Sequence, residues 1–475
     1  MKKADVLIIG AGVIGTCIAR FLSKYKLNIV LVEKEADVGF GTSKANSGVI
    51  HAGFHDKPGT LKANLCVAGN SIFDKLCKEL NVPFRRCGAL VVAMEDEKLK
   101  ILEKLKIQGE KNKVPGLKII KGSYLSQLEP NLTKKAKAAL YSPTVGIVSP
   151  YGLTIALAEN AMQNGVRVLL NTKVENITFQ SDGRKIVGTQ RGLIFANYII
   201  NAAGLFADEI ARMAKDGFIF TPRKGEEYIL DKKVKGLVGH VIFPIPKKET
   251  KGVLIIPTVD GNVMIGPTSE LVDNKFDLNT TREGLQIILE NVKKLVPAIN
   301  DKDIISSFAG LRATSKNGDF IIQPSTKIKG FINVAGIDSP GLTAAPAIAK
   351  VVIDILKEEG LGLTYKEDYQ PYRRLIKFQE LSLEQKNRLI KKDKSYGNVV
   401  CRCENVTEGE IIDAIRRGAR TLDSLKFRTR IGMGRCQGGF CTPKVMKIMK
   451  DGLNIPLEKI TKRGGKSNIL WGKSK

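Results

Sequence analysis

ADVLIIGAGVIGTCIARFLSKYKLNIVLVE, residues 4–33, decides how the chain is read. Val6-Leu7-Ile8-Ile9 is short, apolar and rich in β-branched residues, which predicts a buried strand. Gly10-Ala11-Gly12-Val13-Ile14-Gly15 follows at once, helical spacing runs from Val13 to Lys24, and Ile29-Val30-Leu31-Val32 is a second apolar run ending at Glu33. Strand, glycine turn, helix, strand and acid in this order are the full context of a dinucleotide-binding unit. Gly10 permits the tight turn, Gly12 lets the backbone approach a pyrophosphate, and Gly15 lets helix and strand pack closely. The helix N-terminus offers N–H groups and a partial positive charge to the phosphates. Glu33 can accept hydrogen bonds from the adenosine ribose.

Beyond the acid, residues 39–53 (GFGTSKANSGVIHAG) form a loop of glycine and small polar residues able to lie against a flat or phosphate-bearing ligand. A loop of this kind after the acid points to FAD rather than NAD. A helix is expected over 58–80, strands at 89–93, 166–170 and 174–179, and a helix over 149–164. The run 198–204 reads as a buried strand ending in small residues that can close over the dinucleotide. Residues 218–305 look like an inserted strand-rich domain. The run 331–343 is again strand then glycine turn, leading into a helix over 344–356. The two halves of the dinucleotide domain thus lie at opposite ends of residues 1–360, and residues 360–398 read as a basic, largely helical connector.

The chain has 475 residues, enough for two or three domains. No apolar run approaches the ~18 residues of a membrane span. The N-terminus enters a strand within a few residues, which leaves no room for a cleavable signal. A cytoplasmic protein is expected, with peripheral attachment at the inner membrane face left open by its charge. The formal charge is +28, over half of it from residue 371 onward. Without a nucleic-acid fold signature and with a single Trp, this charge does not make a nucleic-acid protein.

Four of the eight cysteines, Cys17, Cys66, Cys77 and Cys87, are scattered and read as free buried residues. The others are Cys401-Arg402-Cys403 and Cys436-Gln437-Gly438-Gly439-Phe440-Cys441, a C-x-C and a C-x4-C pair. Four thiols in two close pairs are a metal site by spacing. Zinc is the plainer alternative, though it usually takes C-x2-C pairs. A 2Fe–2S cluster needs four thiolates with backbone N–H groups near its sulfurs, which two glycine-bearing loops supply. The expected class is α/β: an FAD-binding Rossmann-like domain with an inserted antiparallel-sheet substrate domain, plus a small helical C-terminal iron–sulfur domain. The expected bounds are 1–360, with insertions around 82–150 and 218–305, a connector 361–397, and 398–475.

At GAGVIG, Glu33, NSGVIHAG, NAAG, AGLR and GIDSPGL the chain resembles the FAD-dependent D-amino-acid oxidase/glycerol-3-phosphate dehydrogenase superfamily. Residues 46–70 are similar to L-2-hydroxyglutarate oxidases. GARTLDSLKFRTRIGMGRCQGGFC resembles the bacterioferritin-associated-ferredoxin-like domain on the large subunit of anaerobic glycerol-3-phosphate dehydrogenases. The resemblance implies FAD contacts at Gly10, Gly12, Gly15, Glu33, Thr42, Ser43, Asn46, Ser47, Val174, Gly204, Gly341 and Leu342. It places His51 and Arg312 beside the flavin ring, where a neutral His can take a hydroxyl proton and Arg can hold a carboxylate or phosphate. Lys224, in Pro222-Arg223-Lys224-Gly225-Glu226, reads as a solvated loop charge that can add to substrate binding.

The expected activity is oxidation of a secondary alcohol, sn-glycerol 3-phosphate, with electrons leaving through flavin and cluster to a partner flavoprotein or quinone reductase. One departure keeps a carboxylate substrate such as L-2-hydroxyglutarate open. Respiratory and oxidase-type glycerol-3-phosphate enzymes carry Arg four residues after the matching His, where this chain has His55. A non-catalytic electron-transfer subunit is the other class in contention.

Overall fold

The opening apolar run forms the strand Lys2–Ile9, the middle of a parallel sheet. It pairs with Ile29–Val32 on one side and Gly192–Asn201 on the other. Arg167–Leu169 adds outside Ile29–Val32, and Phe331–Ala335 runs parallel to the end of Gly192–Asn201. Strands buried on both faces need no alternation, which is why these read as continuous apolar runs. The computed structural model describes residues 2–180, 183–247 and 250–472; the rest of the expected 1–360 and 398–475 units lies outside the described residues.

Helices Val13–Leu22, Pro150–Gln163 and Gly341–Glu358 share one core with this sheet, where Ile8, Ile18, Leu157 and Ile348 are fully or nearly fully buried. The expected helix over 58–80 is two, Leu61–Asn70 and Phe73–Leu80. All five parallel strands end at the same edge. Gly10, Glu33, Ala202-Ala203-Gly204 and Gly336 follow their last residues, in the position where doubly wound sheets take ligands.

The second sheet has nine strands. Phe220–Leu230 pairs along its length with Ile304–Ser315, and the order continues through Val263–Gly266, Leu254–Pro257, Val241–Pro244, Ala89–Ala93, Ala138–Ser142 and Lys118–Lys121. It is antiparallel except where Val241–Pro244 meets Ala89–Ala93 in parallel. Strands from 89–142 and 220–315 therefore make one surface, which stands over the ligand edge of the first sheet. Gly310 approaches so closely that a Cβ there would lie 2.1 Å from the carbonyl oxygen of Ala45.

The connector differs from the expected largely helical segment. One helix forms, Leu383–Lys392, with a capping box from Ser382 and Gln385. Residues 361–377 instead lie extended along the first unit. Lys26 N–H donates to the Thr364 carbonyl, Asn160 and Asn164 amides to that of Gln370, and Arg373 N–H to that of Glu79. Gly360, Gly362 and Pro371 disfavour a helix here, and buried amide side chains supply the backbone with partners.

Residues from Val399 form a short hairpin and three helices, Glu408–Arg416, Leu422–Thr429 and Thr442–Leu453, around Ile411, Ala414, Leu425 and Met449. Thr407 and Thr421 cap the first two helices. This small unit is locked to the rest by ions. Arg428, 4% exposed, pairs with Asp37 and with Glu159, which also binds Arg373 and Arg417. Arg430 reaches Asp260 at 2.6 Å, Glu404 at 2.8 Å and the Tyr151 hydroxyl at 3.0 Å.

Candidate active site

The helix Val13–Leu22 begins at Gly12, whose position supplies no side-chain cap, and Ser43 Oγ takes the Val13 N–H, so the positive helix end is only partly satisfied by the chain and suits an anion. Gly10 has φ +101°, and a Cβ there would lie 2.5 Å from the Ala202 carbonyl oxygen; at Gly15 it would lie 1.9 Å from that of Gly10. Both positions exclude any side chain. Glu33 is buried, and its carboxylate accepts from Ala11 N–H at 2.7 Å and Glu35 N–H at 3.0 Å, which puts it beside the glycine turn. Burial raises its carboxyl above the usual range.

The expected flavin loop lies between the two sheets. Ser43 Oγ accepts from Val13 N–H at 2.8 Å, Thr42 Oγ1 donates to the Leu311 carbonyl at 2.7 Å, and Asn46 bridges Ser43 and Gly48. Ser47 donates to Glu227. Val174 opens a strand just past Thr172, whose N–H donates to the Glu33 carbonyl. Gly204, three residues past the strand Gly192–Asn201, has φ +57°, and Gly341-Leu342 opens the long helix Gly341–Glu358. The expected FAD positions thus fall at or beside the C-terminal edge of the parallel sheet or in the loop above it.

His51 is held from three directions. Its N–H donates to Thr343 Oγ1 at 2.9 Å, and its carbonyl accepts from Asn70 Nδ2 at 2.8 Å and from Cys66 Sγ. Its Nε2 is 3.4 Å from Ser339 Oγ, which lies 3.3 Å from Lys251 Nζ. Burial, then the charges of Lys251 and His55, holds His51 well below the usual 6.5, so it is neutral at neutral pH. His55 and Phe243 pack nearby with their rings tilted, centres 5.1 Å apart.

Arg312 projects from Ile304–Ser315 across from Arg223. Its guanidinium lies against Gly225, where a Cβ would sit 2.6 Å from Nη2. Burial lowers its pKa, and the fields of Glu227 and Asp338 act against that. Among the described residues it makes no hydrogen bond or ion pair. Lys224 differs from the loop charge expected of it. It lies in the strand Phe220–Leu230, 3% exposed, and its charge is taken up by Asp277 at 3.0 Å and Glu226 at 3.8 Å.

Sequence reading missed Lys251, Ser339 and Glu227. Lys251 sits in a lysine-rich loop of a chain with 76 Lys and Arg, and nothing marks it. Glu227 is fully enclosed, and burial pushes its carboxyl up to about 7 against the pull of Ser47 and Arg312. A carboxyl whose folded value is raised favours the protonated fold, so stability falls as pH rises from about 4.5 to about 7. Glu227→Gln is expected to remove that loss, on the order of 3 kcal/mol, and thermal unfolding of holoprotein between pH 5 and 8 measures it. Parallel pH profiles for wild type and variant would show that Glu227 is not the titrating group.

The four cysteines form two pairs across the hairpin and the 436–441 loop, and among the described residues no three metal-ligating side chains stand close enough together to hold an ion. Cys403 and Cys436 Sγ are 3.7 Å apart. Tetrahedral metal–sulfur bonds of about 2.3 Å set neighbouring thiolates about that far apart. Cys441 is hydrogen-bonded with Cys401 and pushed up to about 11, first by burial. N–H groups of Phe440, Gly438 and Gly439 turn toward Cys436 and lower it, as cluster sulfurs require.

A helix N-terminus over a glycine turn, a neutral enclosed imidazole with Lys251 across Ser339 from it, and four thiols in two pairs suit an oxidoreductase with a flavin and an iron–sulfur centre. The chain belongs to the FAD dependent oxidoreductase family, whose model matches residues 5–355, and residues 399–451 match the BFD-like [2Fe-2S] binding domain. Its cofactors are FAD and a 2Fe–2S cluster. Among its relatives, the Glycerol 3-phosphate dehydrogenase of Caloramator mitchellensis is 50% identical over 475 residues, 99% of each chain. The solved, FAD-bound L-alpha-Glycerophosphate Oxidase of Mycoplasma pneumoniae aligns with a TM-score of 0.76 at 33% identity, over 79% of this chain and 100% of that one. The L-2-hydroxyglutarate dehydrogenase of Escherichia coli is 28% identical, covering 74% of this chain and 92% of its own. Among the described residues no helix is long and apolar enough to cross a membrane.

Proposed function

We propose that the protein oxidises sn-glycerol 3-phosphate at its secondary alcohol to dihydroxyacetone phosphate. Electrons leave through the iron–sulfur unit to a partner flavoprotein subunit or a quinone reductase. The observation that carries this reading is the pair of cations, Arg312 and Lys251, that face the same turn as neutral His51 and make no ion pair among the described residues. A phosphate dianion satisfies both. The 50% identity to a glycerol 3-phosphate dehydrogenase supports the same substrate. Lys251 supplies a second cation despite His55 standing where related enzymes carry Arg.

FAD, when bound, supplies the hydride acceptor. Neutral His51 takes the hydroxyl proton at Nε2 once the substrate hydroxyl replaces Ser339 Oγ there, and Arg312 offers two parallel N–H groups to the phosphate. Phe243, fully buried, closes the pocket behind His51 and His55. The units 1–360, 361–397 and 398–475 are assigned catalysis, tethering and onward electron transfer, and the protein is placed in the cytoplasm, with contact to the inner membrane face through a partner.

Anaerobic titration with glycerol 3-phosphate is expected to bleach the flavin and then the cluster. Bleaching by L-2-hydroxyglutarate alone would replace the phosphate with a carboxylate, and bleaching by neither would leave an electron-transfer subunit. Lys251→Ala is expected to raise KM for glycerol 3-phosphate at least tenfold and change kcat far less, since a phosphate contact is uniform binding. An unchanged KM would take Lys251 out of the substrate site.

A further inference from the structure

The cluster unit leaves one side uncovered. Phe440, between Cys436 and Cys441, is 85% exposed, and Cys403 is exposed beside it. An aromatic ring in water next to a redox centre contributes nothing to the core of its own unit. Around it stand Arg402, within the C-x-C pair, Arg435, before Cys436, and Lys444 and Lys447 on the first turns of Thr442–Leu453, all exposed. From Gly432 to Lys450 the chain has no Asp or Glu. Arg435 bonds Asp231, whereas Arg402, Lys444 and Lys447 make no ion pair among the described residues. The unit's attachment to the rest of the chain runs instead through Arg428 and Arg430 and their carboxylates.

We propose that the surface centred on Phe440 is the docking face for a small acidic one-electron carrier protein. This rests on the reading that electrons leave through the cluster. A central aromatic with a charged rim is the usual anatomy of a protein interface, and a patch this small suits a brief redox encounter. Positive charge steers an acidic partner and sets orientation, which brings its redox centre to the edge where Cys403 is exposed and Cys436 half-buried. Each encounter oxidises the cluster by one electron and reduces one carrier by one electron. Two encounters clear the two electrons of one hydride, and the substrate's protons go to solvent. A lipid surface would answer the same charges but presents nothing for the cluster to reduce, which favours a protein.

The test titrates oxidised holoprotein with a purified acidic flavodoxin by calorimetry, and with phosphatidylglycerol vesicles in parallel. Binding to flavodoxin is expected at about 20 mM salt and at least about tenfold weaker at about 200 mM, where the screening length is about 7 Å. Phe440→Ala and the double variant Lys444→Glu/Lys447→Glu are each expected to weaken it at least tenfold. Iron content and bleaching by substrate should stay at wild-type level in the lysine variant, and Lys100→Glu, on the helix Leu99–Lys111, should bind as wild type. The lysine pair lies outside the thiol loops, so the test survives if Phe440→Ala loses iron. Wild-type affinity in the lysine variant, or binding to vesicles without binding to flavodoxin, overturns the proposal. Because binding is read on oxidised protein, it stands or falls apart from the substrate: failure of glycerol 3-phosphate to bleach the flavin with flavodoxin binding intact would overturn only the substrate.

Discussion

His51→Ala is expected to slow bleaching of the flavin by substrate about 10²–10⁴-fold while FAD stays bound, the range typical of a lost general base. The backbone at His51 is fixed by Thr343 and Asn70 through atoms the substitution keeps, so the loop survives it. What goes is the ring nitrogen facing Ser339. The sign of the pH dependence follows from the burial of the ring. Neutral imidazole accepts the proton, and His51 stays neutral until pH falls well below 6.5. Wild-type rate is therefore expected to be flat through neutrality and to drop only in acid. Stopped-flow absorbance across pH reads both effects, and a variant bleached at wild-type rate would leave His51 a backbone anchor.

Arg428→Ala is expected to destabilise the attachment of the C-terminal unit by about 3–5 kcal/mol, the cost of stranding a buried charge. Asp37 is 1% exposed and has Arg428 as its cationic partner; Glu159 keeps Arg373 and Arg417. The uncompensated group is thus Asp37, four residues beyond Glu33. The expected signs are faster proteolysis within 361–397 and a lower unfolding temperature, with Arg428→Met leaving the same deficit. Unchanged cleavage and melting would mean that Phe427, packed on Phe40 and Tyr151, is enough to hold the units together.

Local chemistry was readable from the chain, and contact over distance was not. The unit around residues 4–33 announces itself because strand, turn, helix and acid are consecutive. The cysteine quartet does so because two tight pairs have few uses. By contrast, Asp37 and Arg428 are 391 positions apart, and neither has a neighbour that predicts the other. Lys224 and Lys251 show the same limit from opposite sides. The one in a suggestive motif is neutralised by Asp277, and the one in an ordinary basic loop faces the histidine. The strap 361–377 escaped because its partners, Asn160, Asn164 and Glu79, belong to helices and turns read as ordinary.

The way the thiols are drawn from two separate loops of the small unit has a thermodynamic side. Joining Cys403 to Cys436 through metal closes a loop containing the helices Glu408–Arg416 and Leu422–Thr429. For a closed loop of that size the unfolded chain forfeits conformational freedom equivalent to about 3–4 kcal/mol, if metal bridges act as covalent ones do. The iron that conducts electrons is then also a fastener. Oxidative loss of the cluster would loosen the two helices that carry Arg428 and its neighbours, so damage to the redox centre would reach the seam between the units.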